Sequence, residues 1–371
     1  MKKKNIFICC TEQSGENICY NILKRLDLNN INIDGVCGSL SQKFVNNKYY
    51  DISEFKSLGL IEIILSIKKY LKMINFLTRI IIKKNYDLVI CIDSPDFNYN
   101  LVKSLRKNKF NNNIIQIVAP TVWAWRGGRA KKFADLYDEI FLLFNFEKKF
   151  FDYPNINTSF IGHPVYHIKK RSKKNNINYY KYIAFLPGSR ENEINKLFKY
   201  FDLVEKYLRD NNLNWKIFIP TLPHLTEKIK IKISSWQTET ILIDNIKEFE
   251  KYYEYVFISI TCSGTATLEI AKRNIPQLII YKLNFITALL LKLFIKVRNA
   301  CILNIVSNKM IIPELINSKL TKKNLINYLQ ILLNNTEFRD KQIRNINHFL
   351  PLIETDICPY ELSIKRINSL L

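Results

Sequence analysis

The chain has 371 residues, 47% hydrophobic and 13% aromatic, and its 56 Lys and Arg against 33 Asp and Glu give a formal charge of +23. The length suggests two domains, the apolar content excludes disorder over most of the chain, and only 9 Gly and 11 Pro exclude a collagen-like or linker-like protein. The positive excess suits an anionic partner, whether nucleic acid, an acidic membrane surface or a phosphorylated small molecule, or else it is a compositional bias, because the lysines are spread along the chain.

The apolar stretch after Met1 to Lys4 ends at Thr11 and Glu12, too short for a secretory signal, so Asn5 to Cys10 is expected to be a strand. A helix over Gly15 to Leu26 follows, with Ile18, Ile22, Leu23 and Leu26 on one face. Next come a strand at Ile33 to Cys37, a helix over Leu60 to Lys83, a buried strand at Leu88 to Ile92 and a helix over Asn98 to Lys107. Strands at Ile114 to Val118 and Ile140 to Phe144 complete the first half. The pattern breaks between Gly162 and Tyr182, where a basic, polar run from Lys169 reads as a connector. It restarts with strands at Ile183 to Leu186, Lys216 to Ile219, Ile241 to Ile243, Val256 to Ile260 and Gln277 to Tyr281. Helices are expected over Glu191 to Arg209, Ala266 to Arg273 and, amphipathic, Tyr360 to Leu371. Such alternation predicts α/β units with parallel sheets, whose ligands bind at the carboxyl ends of the strands. No apolar run reaches the ~18 residues of a membrane span. The nearest, Phe285 to Val297, is broken by Lys292 and Lys296 and could rest on a bilayer or be buried. The eight cysteines lack paired spacing, and Cys9, Cys10 and Cys91 lie in apolar runs, which fits a reduced, cytosolic setting.

Neither a P-loop nor a dinucleotide glycine motif is present, and His163 and His167, with Pro164 between them, lack the carboxylate of H-E-x-x-H, so the pair reads more readily as a structural turn than as a metal site. Four other stretches could carry chemistry. Ser263-Gly264-Thr265 follows a strand and opens a helix, so its backbone N–H groups suit phosphate, or form an ordinary helix cap. Glu269, one turn further, could accept sugar hydroxyls or face solvent. Gly188, Ser189 and Arg190 form a second such turn, where Arg190 could hold phosphate oxygens or pair with Glu191 or Glu193. Asp93 ends a strand and is a candidate base, or a turn former before Ser94 and Pro95. Trp123, Trp125 and Arg126 could receive a sugar with a phosphate or a nucleobase, or be core Trp with a snorkelling Arg.

In order along the chain, SGEN at 14, LGLIEI at 58, IDSPDFN at 92, PTVWAWRGGRAKK at 120, LFNFEKKFF at 143, FIGHP at 160, LPGSR at 186, SGTATLE at 263 and NIVSNKMIIPELI near 304 resemble the lipid-A-disaccharide synthase family. IDSPDFN and VWAWR are specific, whereas SGTATLE is shared with other nucleotide-sugar transferases. The resemblance implies two Rossmann-like domains of the glycosyltransferase-B architecture with the active site in the cleft between them. Residues 1–168 would form the acceptor and catalytic domain, 181–350 the UDP-sugar domain, and 351–371 a helix returning to the first. It further implies UDP-2,3-diacylglucosamine as donor, 2,3-diacylglucosamine 1-phosphate as acceptor, a homodimer, and peripheral attachment to the anionic inner membrane from the cytoplasmic side. Asp93 and Arg190 match the catalytic positions, and Ser263, Gly264, Thr265, Glu269 and Asn304 the nucleotide positions. Ser14 and Gly15 fall in the first substrate loop, where Thr11 and Glu16 replace the family's usual Gly and Asp. The lost glycine removes easy access to positive φ, and the longer carboxylate could alter how the loop meets the acceptor.

An α-linked UDP donor and a β product imply one inverting displacement, with Asp93 as base and Arg190 plus the 263–265 turn neutralising the leaving diphosphate. No metal or other cofactor is expected, and no nucleic acid. The alternatives are another UDP-sugar transferase or epimerase of the same fold, or a basic nucleic-acid-binding protein.

Overall fold

The computed structural model describes residues 3–55, 60–124, 126–171, 179–282 and 299–371, with side chains of the 60–84 helix from residue 67 onward. Trp125, Phe285 to Val297, the start of the LGLIEI stretch and most of the basic connector lie outside the described residues. The chain divides into two compact units, Met1–Tyr166 with Ile353–Leu371, and His167–Leu352.

The first unit contains β1 (Lys4–Cys10), α1 (Gln13–Leu23), β2 (Ile31–Cys37), β3 (Asn47–Asp51), α2 (Leu60–Lys84), β4 (Leu88–Ile92), α3 (Pro95–Lys107), β5 (Asn113–Ile117), α4 (Arg129–Ala134), β6 (Glu139–Leu142) and β7 (Asn157–Phe160). All strand pairs are parallel, in the order β3-β2-β1-β4-β5-β6-β7. Residues alternate between the two faces with the two-residue period of a strand. Ile6, Ile8 and Cys10 pack with α1 residues Ile18 and Ile22, while Phe7 and Cys9 pack with Leu77 and Ile81 of α2 and Leu101 of α3. A sheet covered on both faces needs apolar residues at every position, which is why the central strands read as unbroken apolar runs. None of the eight cysteines is in a disulfide, and all are buried.

The second unit repeats the plan with β8 (Tyr182–Leu186), α5 (Glu191–Asp210), β9 (Lys216–Pro220), α6 (Thr226–Ile233), β10 (Thr240–Ile243), α7 (Ile246–Tyr253), β11 (Val256–Cys262), α8 (Thr265–Lys272), β12 (Gln277–Tyr281), α9 (Ile302–Ser307), β13 (Glu314–Ile316), α10 (Lys322–Asn334) and α11 (Thr336–Phe349). Its parallel order is β10-β9-β8-β11-β12-β13. Strand order reverses between β1 and β4 in one unit and between β8 and β11 in the other. At such switch points the connections leave in opposite directions and open a crevice at the strands' carboxyl ends. The sequence segments singled out after β1, β4, β8 and β11 all fall at these two places.

The last helix, α12 (Pro359–Leu370), belongs to the first unit and adds Tyr360 and Ile367 to the face that α1 covers. It is fastened there by Arg366, whose Nε donates to both oxygens of Glu139 at 2.9 Å, while Ser159 donates to the same carboxylate at 2.5 Å. Glu139 is 1% exposed, so it depends on these donors for compensation of its lost hydration. Among the described residues no helix is long and apolar enough to cross a membrane. Arg366→Ala strands the Glu139 charge and should lower unfolding free energy by about 2–3 kcal/mol, somewhat below a fully buried pair because Arg366 is partly solvated. Urea titration of the two proteins checks this, and an unchanged midpoint would show that Ser159 and water suffice for Glu139.

Candidate active site

In the first unit the site is built on the turn that ends β4. Asp93 and Ser94 both adopt left-handed backbone, at φ +54° and +46°, a conformation costly for residues bearing a Cβ. The surroundings hold it. The Asp93 carbonyl accepts from the side-chain amides of Asn98 (2.8 Å) and Gln116 (2.9 Å), and its N–H donates to Ile117 at 2.9 Å. Pro95 then starts α3, which accounts for that helix beginning three residues before the sequence suggests. The half-buried Asp93 carboxylate receives the Ser14 hydroxyl from α1 at 2.5 Å.

Gly15 makes this approach possible. A Cβ there would stand 3.1 Å from the Asp93 Cβ, 3.1 Å from the Ile92 carbonyl oxygen and 3.0 Å from the Cys10 Sγ. Its function is thus close packing beside Asp93. The two departures in this loop turn out to be internal matters. Thr11 does not occupy positive φ, so no glycine is required there. Glu16 is 1% exposed and accepts the backbone N–H groups of Gly38 and Ser41, both at 2.8 Å, so its longer carboxylate ties down the loop after β2 rather than facing a ligand.

Nearby Asp96 is exposed and paired with Arg129 at 2.9 Å and, more loosely, Arg126 at 3.8 Å. Trp123 is buried, its indole N–H donating to Glu147 at 3.1 Å and its ring set against Phe146, so it lends no open face for stacking. The side chain is packed as a core Trp and anchors the loop that carries Arg126. The loop leaves β5 through Val118, a β-branched residue at φ +74°, and reaches Arg126 at φ +51°. His163, stacked on Phe144, is buried and pushed down to about 4 by desolvation, a neutral core histidine.

In the second unit, the turns after β8 and β11 lie side by side because those strands are neighbours. Gly264 has φ +146° and ψ −160°, a region open only to glycine, and nothing lies within 4 Å of where its Cβ would be. No side chain caps α8, whose first residues, Thr265 and the half-buried Ala266, stand at the surface beside Ser263, while the Thr267 N–H donates to the Gly264 carbonyl at 3.1 Å. A positive helix end of this kind takes an anion. Glu269, half-buried one turn into α8, has its pKa raised by desolvation, opposed by Arg273 and reinforced by Glu250. At the neighbouring turn Gly188 has φ +113°, Ser189 and Arg190 are exposed, and the Arg190 guanidinium meets Glu193 at 3.0 Å. Asn304 is different. It is fully buried, donating to Ile312 and Glu314 and accepting from the N–H groups of Ile311 and Ile312. Its side-chain amide holds the 308–314 loop.

A family model described as lipid-A-disaccharide synthetase matches residues 6–367. The chain belongs to this family. It is 34% identical to the lipid-A-disaccharide synthase of Wigglesworthia glossinidia brevipalpis over 348 residues, covering 90% of this chain and 89% of that protein. It is 31% identical to that of Rickettsia typhi, covering 98% and 99%. Among solved structures it is similar to UDP-GlcNAc 2-epimerase from Neisseria meningitidis bound to UDP-GlcNAc, with TM-score 0.62, 13% identity and 99% of each chain covered. It is also similar to MurG from Acinetobacter baumannii, with TM-score 0.60, 12% identity and the same coverage. At such identity the solved structures establish the fold, the paired α/β architecture of the glycosyltransferase-B class. Membership of the synthetase family makes the chain a glycosyltransferase.

Sequence reasoning missed Gln116 and Asn98, which fix the Asp93 carbonyl, as well as Glu147, while the expected alternative of an Arg190–Glu193 pair is present. Glu147 is the most perturbed carboxyl here: burial pushes it up to about 7, against N–H groups from Phe144, Trp123 and Leu143. Its folded value thus lies above the ~4.3 of an unfolded chain. Protonation is favoured in the folded state, so this group's contribution is fully present below the unfolded value and is lost as pH rises through about 7. Between pH 4.5 and 8, the stability of Glu147→Gln relative to wild type should rise by roughly 2–4 kcal/mol. Urea unfolding at several pH values tests this, and a pH-independent difference would mean that Glu147 titrates normally.

Proposed function

We propose that the chain condenses UDP-2,3-diacylglucosamine with 2,3-diacylglucosamine 1-phosphate, yielding the β-1,6-linked disaccharide 1-phosphate and UDP in lipid A biosynthesis. The reading is carried by the Asp93 carboxylate, set at the first unit's switch point on a strained, clamped turn with a hydroxyl already bonded to it. Such a group suits a general base, which must lie within ~2.6–3.2 Å of the hydroxyl it deprotonates. Ser14, occupying that carboxylate in the free protein, stands where the acceptor hydroxyl would come.

In the reaction the acceptor 6-hydroxyl attacks the donor's anomeric carbon as its proton passes to Asp93. The new C–O bond forms on the face opposite the breaking bond to UDP, so α becomes β. The bonding pair of the old link leaves on the UDP β-phosphate, where Arg190 and the N–H groups opened by Ser263, Gly264 and Thr265 stabilise the charge. Gly188 and Ser189 shape the adjoining turn, and Glu269 accepts ribose hydroxyls. Arg126, exposed on the loop anchored by Trp123, is assigned to the acceptor phosphate.

Acylated substrates must be drawn from a membrane, and we take the protein, as a homodimer, to meet the anionic inner leaflet peripherally. Exposed Ile67 and Leu71 beside Lys68, Lys69 and Lys72 on α2 support this, together with the net charge of +23.

Asp93→Asn keeps size and hydrogen bonding but cannot take the proton, so turnover should fall about 10²- to 10⁴-fold while UDP binding persists. Asp96→Asn is the control, since Asp96 is committed to Arg129. A severe loss from Asp96→Asn with Asp93→Asn fully active would reverse the assignment. Arg190→Ala should cost about 10²- to 10³-fold in turnover, and Arg190→Lys should restore only part, lacking the bidentate fork. Full activity of Arg190→Ala would move the phosphate role elsewhere. In flotation with anionic liposomes, an Ile67→Asp, Leu71→Asp variant should remain behind while the wild type floats; equal flotation would exclude this face of α2.

A further inference from the structure

The two anion turns of the second unit are not in the same state. At α8 no carboxylate or other side chain caps the helix start. At α5 the turn is already occupied: Glu193 Oε2 accepts from the backbone N–H groups of Ser189 (3.2 Å) and Arg190 (3.3 Å), and its Oε1 accepts from the Arg190 guanidinium at 3.0 Å. The turn is shaped around this carboxylate. A Cβ on Gly188 would fall 2.6 Å from Glu193 Oε2 and 3.0 Å from its Cβ. Glu193 is anchored, its side chain 14% exposed, whereas that of Arg190 is 75% exposed and tethered at one end. Two amides and a guanidinium, the donors a phosphate group would use, thus hold a negative charge supplied by the chain itself.

We propose that Glu193 is an internal anion that competes with the nucleotide diphosphate for Arg190, and so sets how tightly UDP is held and how readily it leaves. The inference rests on the reading of Arg190 as a diphosphate ligand. A diphosphate arriving at Arg190 meets the Glu193 charge at close range, and binding exchanges one ion pair for another. Glu193 is therefore a positioning residue, acting through Arg190. A glutamine in its place still caps the helix start, because Gln serves at the third helical position as Glu does. What it removes is the charge.

The test is calorimetric titration of the full chain with UDP, for wild type, Glu193→Gln, Arg190→Ala and the double variant, with thermal melts alongside. Glu193→Gln should melt with the wild type and bind UDP about three- to tenfold more tightly, the scale of a freed charge-assisted contact at a partly exposed site. In turnover it should lower both KM for the donor and kcat, as slower product release requires. In the Arg190→Ala background the same substitution should gain clearly less, since no guanidinium remains to be freed. If Glu193→Gln binds UDP no better than wild type while Arg190→Ala weakens it, Glu193 is a helix cap alone and the inference fails with the proposed function intact. An equal gain in both backgrounds also overturns it, because Glu193 would then act without Arg190. If Arg190→Ala binds UDP as the wild type does, the diphosphate reading itself fails, and the inference with it.

Discussion

The first unit depends on one constrained turn, the two consecutive left-handed residues Asp93 and Ser94. Each non-glycine residue in that conformation costs of order 1–3 kcal/mol, so the turn persists only where its surroundings over-determine it. Here they do. Two side-chain amides converge on one backbone carbonyl, a proline starts the next helix, and a glycine in α1 lets that helix approach where any Cβ would stand 3.1 Å from that of Asp93. The result is a carboxylate fixed in direction at the point where strand order reverses. A relaxed turn would carry the same residue without fixing its aim.

The second unit uses the same topology for the opposite charge. Its switch point bears a glycine-opened helix end and an exposed guanidinium paired with Glu193. A glycosyl transfer needs these two environments: a base for the incoming hydroxyl and a cationic cradle for the departing diphosphate. The proposed division of labour follows from which residues end β4 and which end β8 and β11, since the two sheets are otherwise alike in plan. In the proposed reaction Arg190 and the α8 amides are the fixed positive charge that the leaving group meets.

How much of this was legible follows from burial. The central strands, covered on both faces, appear as apolar runs, and Leu88–Ile92 and Gln277–Tyr281 coincide with their expected limits. The strands not anticipated, β3, β7 and β13, all lie at sheet edges. With one neighbour and partial exposure they tolerate sequences such as NKYYD and NTSF, in which no apolar period survives. Positions within the site divide in a similar way. Asp93, Arg190 and the 263–265 turn could be picked out because strand ends and helix starts are marked in the chain. The direction in which a side chain points is not so marked: Trp123, Asn304 and Glu16 face inward to long-range partners that no local pattern reveals. Glu193 did leave a trace, a glutamate three residues past Arg190 and third in α5, the spacing of a helix-capping carboxylate.

The central claim is a two-substrate transfer in which a fixed carboxylate and a cationic cradle act on different partners. It is tested most directly by incubating the purified protein with UDP-2,3-diacylglucosamine and 2,3-diacylglucosamine 1-phosphate, separately and together, and measuring UDP. The expected result is UDP release that requires both substrates and matches the disaccharide formed mole for mole. Release at the same rate from the donor alone, or none with both present, would contradict it.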